Sequence, residues 1–176
     1  RLWTGEALLN LGDPKQAAGM FESIRQAVPD SYLSTKAAYR AGEAWYQASS
    51  CPEATTWFIK AVELNDKEPE APLALLRRGA CQLRENNVRE GRDTLMRLWV
   101  RFAYSAQAKE AEALLASNLG GEPWVVQSSE RLARAQAYLG QSFHVEAIEE
   151  LRKFLAAEPK SPRRTEAKLK LGIAQV

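Results

Sequence analysis

GEAWYQASSCPEATTWFIKAVELND, residues 42–66, reads as two amphipathic helices joined by a short polar turn, and this reading decides the fold. Offsets from Gly42 carry it: Ala54 lies at plus twelve, Phe58 at plus sixteen and Ala61 at plus nineteen, with Asp66 at plus twenty-four as the expected stop. Residues three apart share a helical face, so Phe58 and Ala61 look the same way. Working outward, Gly5 and Gly79 lie 37 residues to either side. From Gly5 the same offsets give Ala17, Phe21, Ile24 and Pro29; from Gly79 they give Gly91, Leu95, Leu98 and Ala103. A fourth copy runs Ala135, Ala147, Leu151, Phe154 and Pro159, and a fifth opens at Gly172.

A fixed period of this length marks stacked helical hairpins, none of which buries its apolar face alone. The small residues at plus zero and plus twelve are expected to face one another and let two helices approach closely. The large rungs then fill the space toward the next unit, and a proline ends the second helix where one is present. These offsets resemble the tetratricopeptide repeat, whose usual period is 34, and the extra residues fall in links such as VPDSYLST and NDKEPEAP. The resemblance implies an all-α, tetratricopeptide-like superhelix of antiparallel hairpins, about ten helices in all. Helices are expected near 1–11, 14–27, 32–49, 52–65, 70–85, 88–102, 105–118, 128–140, 142–157 and 161–176. Asp13 before Pro14 and Ser161 before Pro162 read as N-caps followed by a first-turn proline, Cys51 before Pro52 as a start with a poorer cap, and Gly12 and NLGGEP at 118–123 as helix ends.

The register slips once, because Gly79 and Ala135 are 56 residues apart. The surplus is a single inserted helix without a hairpin partner, followed by a bend at GGEPW. The expected organisation is thus three hairpins over 1–104, an inserted helix and bend over 105–127, and a fourth hairpin plus the first helix of a fifth over 128–176, all one continuous solenoid. The chain opens at Arg1 inside a helix and stops at Val176 inside another, so a fragment of a longer protein is expected.

Composition fits a folded helical chain, with 45% hydrophobic and 26% charged residues. No apolar run reaches the roughly 20 residues that span a bilayer, so no membrane span is expected. A net charge of +2 is too small to argue for nucleic acid. The charge is uneven: residues 152–170 hold seven basic and two acidic side chains, residues 43–70 six acidic and two basic. Either stretch reads most simply as a solvated face, and Arg163, Arg164 and Lys168 mark a basic surface.

Catalytic chemistry finds little footing. His144 is the only histidine and reads as an exposed helix-start residue, no phosphate-loop, dinucleotide or zinc-protease pattern is present, and Glu149 and Glu150 read as outward-facing. No catalytic residue, metal or cofactor is expected. Trp45, Trp57, Trp99 and Tyr138 fall at core positions, while Trp124 beyond the Gly-Gly bend stands apart. Cys51 and Cys81 should meet at one edge of the stack; a disulfide is open to them in an oxidising compartment, and two buried thiols are the simpler expectation. In such arrays the first helix of each hairpin lines a concave groove that takes an extended segment or a helix. The register puts Lys36, Tyr39, Glu43, Tyr46, Gln47, Leu76, Leu83 and Arg84 there, with Arg77 and Gln136 as weaker candidates, for a protein or peptide partner.

One further resemblance covers residues 30–176. RFAYSAQAKEAEALLASNL at 101–119, followed by GGEPWVVQSSERLARAQAYLGQSFHVEAIEELRKFL at 120–155, is similar to the helical N-terminal region of soluble lytic murein transglycosylases. That resemblance implies a non-catalytic scaffold whose full-length protein cleaves peptidoglycan through a separate C-terminal domain with an E-S-x-F glutamate. The motif is absent here: Glu22 and Ser23 continue as IRQ. It also implies the periplasm, with that catalytic domain of the same chain or peptidoglycan as partner. The alternative is a stand-alone tetratricopeptide adaptor of envelope assembly or cell division, in the envelope or cytoplasm.

Overall fold

In the computed structural model, which describes residues 1–29, 31–117, 119–121 and 123–175, the chain is all-α. Among the described residues ten α-helices follow one another: α1 Leu2–Asn10, α2 Pro14–Ala27, α3 Tyr32–Gln47, α4 Cys51–Leu64, α5 Ala71–Arg84, α6 Val88–Arg101, α7 Ala106–Ala116, α8 Ser128–Leu139, α9 His144–Ala157 and α10 Arg164–Ala174. A short 3-10 turn occupies Leu119–Gly121. The chain divides within α6 into two compact units, Arg1–Thr94 and Leu95–Val176. Asp30, Asn118 and Glu122, within the expected links and helix end, and the terminal Val176 lie outside the described residues.

The register governs each hairpin in turn. The second helices α2, α4, α6 and α9 begin nine residues after Gly5, Gly42, Gly79 and Ala135, and all are 14 residues long. They stop together whether plus twenty-four is Pro29, Asp66, Ala103 or Pro159, so proline is not what ends them. The turns repeat as well. Gly12, Ser49, Asn86 and Ser142, each at plus seven, have left-handed backbone with φ of 81°, 60°, 62° and 61°. Each is followed by the same six-residue closure, the backbone N–H of Asp13, Ser50, Asn87 and Phe143 donating to the carbonyl of Leu8, Trp45, Gln82 and Tyr138 at 2.8–3.0 Å. This closure satisfies carbonyls that the end of a helix leaves open.

Packing corrects the expected small-on-small contact. At Gly5 the position a Cβ would take lies 2.5 Å from the Phe21 ring, and at Gly42 it lies 2.6 Å from the Phe58 ring. The aromatic at plus sixteen, not the small residue at plus twelve, occupies that space in the first two hairpins. In the third, the Cβ position of Gly91 meets Leu83 at 2.8 Å and the carbonyl of Gly79 at 3.3 Å. The rungs Ala17, Phe21, Ile24, Ala54, Phe58 and Ala61 are all buried, as are Ala147, Leu151 and Phe154 in the second unit.

Several expectations fail locally. Asp13 caps α2, accepting from the Gln16 N–H at 3.2 Å, but α10 starts only at Arg164, and Ser161 instead accepts from the Arg163 N–H at 3.3 Å. Glu150 is buried at 6% exposure, with Arg131 3.2 Å and Arg134 3.5 Å away, because the buried Arg134 guanidinium demands an anion. Trp124 is packed edge-on against Trp99 with centroids 5.1 Å apart, and its indole N–H donates to the Met96 sulfur. On α7, which covers the stretch expected as an inserted helix, Ala108, Ala111 and Leu115 are buried and Glu112 accepts from the Trp99 indole at 2.9 Å.

Cys51 and Cys81 form a disulfide rather than two thiols. Cys51 opens α4 and Cys81 lies in α5, and stacking brings their Cα atoms to 5.1 Å, inside the range a disulfide accepts. The bridge closes a 30-residue loop. Removing it with Cys51→Ser/Cys81→Ser should lower unfolding free energy by about 3–4 kcal/mol, read by urea denaturation of oxidised and variant protein.

Glycine at plus zero makes a two-sided test. Gly42→Ala should destabilise by about 1–3 kcal/mol, since the Phe58 ring is enclosed and has nowhere to shift. Gly172→Ala meets nothing within 4 Å and should stabilise α10 by up to about 1 kcal/mol. Thermal melts of the two variants should move in opposite directions.

Candidate functional site

The first helices of the first unit, α1, α3 and α5, are laced together by charge. Glu6 in α1 pairs with Arg40 in α3, whose Nε donates at 2.6 Å. Glu43 in α3 repeats the arrangement with Arg77 in α5. Both use the same register, glutamate one residue after the repeat glycine and arginine two residues before the next. Lys36 supplies a third link, its Nζ 2.5 Å from Glu70 and 3.4 Å from Glu68. Partly exposed pairs of this kind contribute about 1 kcal/mol or less each, so they set how the helices align more than how stable they are.

Two members have altered ionisation: burial, helped by the nearby Arg40 charge, lowers the pKa of the Arg77 guanidinium, whereas that of Lys36 is raised. Burial pulls the Lys36 ammonium down, but hydrogen bonds to Glu70 and Tyr32 and their negative charge outweigh it and lift its pKa to about 12. A raised lysine pKa adds stability that is complete below the unfolded value of 10.5 and drains away as pH rises toward 12. A carbon-13 NMR titration of the Lys36 Cε should therefore have its midpoint near pH 12 in the wild type and return toward 10.5 in Glu70→Gln.

Beside these pairs lies an open cleft of about 700 Å³ lined by Leu2, Trp3, Glu6, Ala7, Asn10, Lys36, Arg40 and Glu70. Trp3 projects from α1 with 83% of its surface exposed, more than any other large apolar side chain among the described residues. An exposed indole beside charges already paired with one another offers apolar area and ordered polar edges, the combination that anchors a polypeptide.

The structure sorts the sequence candidates. Lys36 lines the cleft. Glu43, Tyr46, Gln47 and Arg84 form a second cluster further along α3 and α5: Gln47 donates to Glu43 at 2.8 Å, and the Arg77 and Arg84 guanidiniums lie 4.9 and 5.4 Å from the Tyr46 ring centre. Tyr39 is not available, being 2% exposed with its hydroxyl donating to the Asn65 carbonyl at 2.9 Å, because its side chain turns toward the end of α4. Leu76 is likewise buried at 8%, and Leu83 packs over Gly91. In the second unit, Arg163 is exposed and pairs with Glu166 at 3.0 Å, Arg164 is partly covered and donates to the Leu155 carbonyl at 3.0 Å, and Lys168 is exposed. Gln136 is exposed on α8, and His144 is exposed at the start of α9.

Sequence reasoning passed over Trp3, Glu6, Asn10 and Arg40. The signal was present: Trp3 shares its register with Arg40 and Arg77, Glu6 with Glu43, and Asn10 with Gln47 and Arg84. Applying the groove positions to the first copy names Trp3, Glu6 and Asn10, and carrying the Arg77 position back to the second copy names Arg40.

Residues 2–69 match the sequence profile of the tetratricopeptide repeat. Among solved structures, the nearly identical TPR-like repeats from a Podosopora anserina protein described as a kinesin light chain share 15% identity, covering 98% of this chain and 82% of that one, with a TM-score of 0.45. The ArsTM double mutant of MamA RS-1 shares 17% identity over 98% of this chain and 90% of that one, with a TM-score of 0.46. No curated protein sequence matches the chain significantly. The fold is tetratricopeptide-like, and what the comparisons support is the repeat, not the transglycosylase resemblance. Among the described residues no helix is long and apolar enough to cross a membrane, and no three His, Cys, Asp or Glu side chains gather to hold a metal ion.

Proposed function

We propose that this chain is a non-catalytic helical-repeat scaffold that binds a protein or peptide partner through the α1, α3 and α5 face of its first unit. The observation that carries the reading is the cleft at Trp3, an exposed indole beside the Glu6–Arg40 and Lys36–Glu70 pairs. Residues along this face that are already ion-paired hold the helices in place, and Trp3 with Asn10 is left to meet a ligand.

The narrower placement is in the periplasm, as the helical region of a lytic murein transglycosylase. Its support is the wording of residues 101–155 and the Cys51–Cys81 bridge, which suits an oxidising compartment. On that placement the partner is a catalytic domain further along the same chain, and the protein as a whole acts on peptidoglycan. An adaptor of envelope assembly shares the support of the bridge and differs only in lacking that domain. Reading the gene past Val176 separates the two: an E-S-x-F glutamate supports the enzyme scaffold and a prompt stop codon removes it.

The binding face itself is tested by photo-crosslinking in the native host. A benzoyl-phenylalanine at position 3 should yield a discrete polypeptide adduct that Lys36→Glu/Arg40→Glu reduces by about tenfold or more, while the same probe at Lys15 on α2 yields none. Equal adducts from positions 3 and 15 would sink the assignment.

A further inference from the structure

A second site lies on α2 and α4 of the same unit, away from the cleft at Trp3. Glu22 in α2 accepts the indole N–H of Trp45 at 3.0 Å and that of Trp57 at 2.9 Å on a single oxygen, Oε1. Two donors converging on one carboxylate oxygen fix the Trp57 ring in place. That ring then gathers two cations: the Lys60 ammonium lies 4.6 Å from its centre and the Arg25 guanidinium 5.8 Å. The two charged centres are thus no more than about 10 Å apart, the sum of their distances to the ring centre.

Neither cation has a counter-ion among the described residues, in contrast to Lys36, Arg40 and Arg77 in the same unit. Glu22, three residues from Arg25 on one helix face, is its expected partner, yet among the described residues it forms no ion pair with Arg25 and turns Oε1 to the two indoles. Together with Gln26 and Pro29 these groups line an open cleft of about 360 Å³. With two cations against one carboxylate the cleft carries a net positive charge, and Gln26 adds a neutral amide donor at its edge.

We propose that this cleft is an oxyanion-binding site in which Arg25 and Lys60 close over a carboxylate, sulfate or phosphate group above the Trp57 ring. A bound anion gives each cation the charge-assisted hydrogen bonds it lacks. The same oxygen chemistry is offered by a free inorganic anion and by acidic side chains of a polypeptide. The site stands apart from the Trp3 cleft and does not depend on the reading given to it.

The test follows the Trp57 and Trp45 indole N–H signals by proton–nitrogen NMR at constant ionic strength set with chloride. Two probes are titrated in parallel, sodium sulfate and an N-acetylated, C-amidated pentaglutamate peptide. Saturable shifts of both indole signals are expected with at least one probe; sulfate alone marks a site for free anions, and the peptide marks a site for an acidic chain. Arg25→Gln and Lys60→Gln should each weaken binding by about tenfold, while Lys60→Arg and Lys15→Gln should not. All these side chains are at the surface or only partly covered, and unchanged circular dichroism confirms the fold of each variant. Linear, unsaturable shifts with both probes, or unchanged affinity in Arg25→Gln and Lys60→Gln, would overturn the assignment.

Discussion

A phenyl ring seated where a helix has no Cβ is the contact on which the first unit depends. Phe21 lies against Gly5, and Phe58 against Gly42, each closer than a methyl group would permit. The two helices of a hairpin can then approach until the ring is enclosed, and Phe21 and Phe58 are 0% and 2% exposed. Burying an aromatic side chain this fully contributes on the order of 2–3 kcal/mol, and many small dispersion contacts add to it. The second unit reaches the same end by another route, with Ala135 at the glycine position and the branched Leu151 in place of the ring.

Close approach of the helices has an electrostatic consequence. With α1, α3 and α5 held on one face, Glu6 reaches Arg40 and Glu43 reaches Arg77 in the same register. Charges that a sequence reading assigns to ligand contact are therefore largely neutralised within the scaffold. What remains for a partner is set by subtraction: the exposed Trp3, Asn10 and the rim of the cleft on one face, and Arg25 with Lys60 on the other. The indole N–H groups of Trp45 and Trp57 both donate to Oε1 of Glu22, a carboxylate that spacing along the helix would assign to Arg25.

Much of this was legible in the chain because a repeat states its own register. The succession of helices, the Asp13 cap and the burial of the large rungs all follow from spacing and cap residues read along the chain. Tyr39 and Leu76 show where counting stops. Both sit on first helices at positions assigned to an open groove, yet both are buried, because a helix in a stack has neighbours on more than one side. Glu150 fails for a related reason: its helical position looks outward until the guanidinium of Arg134, from α8, is brought against it.

By itself, the sequence determined the period and the succession of helices, with their ends to within a few residues, since these depend on local propensity and on spacing along one chain. It also placed Cys51 and Cys81 at a common edge, without choosing between thiols and a bridge. Only the tertiary structure decided that the phenyl ring and not the plus-twelve residue fills the glycine gap, that the cysteines join, and which charges are already paired. Those outcomes turn on distances between side chains from different helices. Spacing along the chain brings such groups to the same neighbourhood, but rotamer, reach and competition among neighbours choose which of them touch.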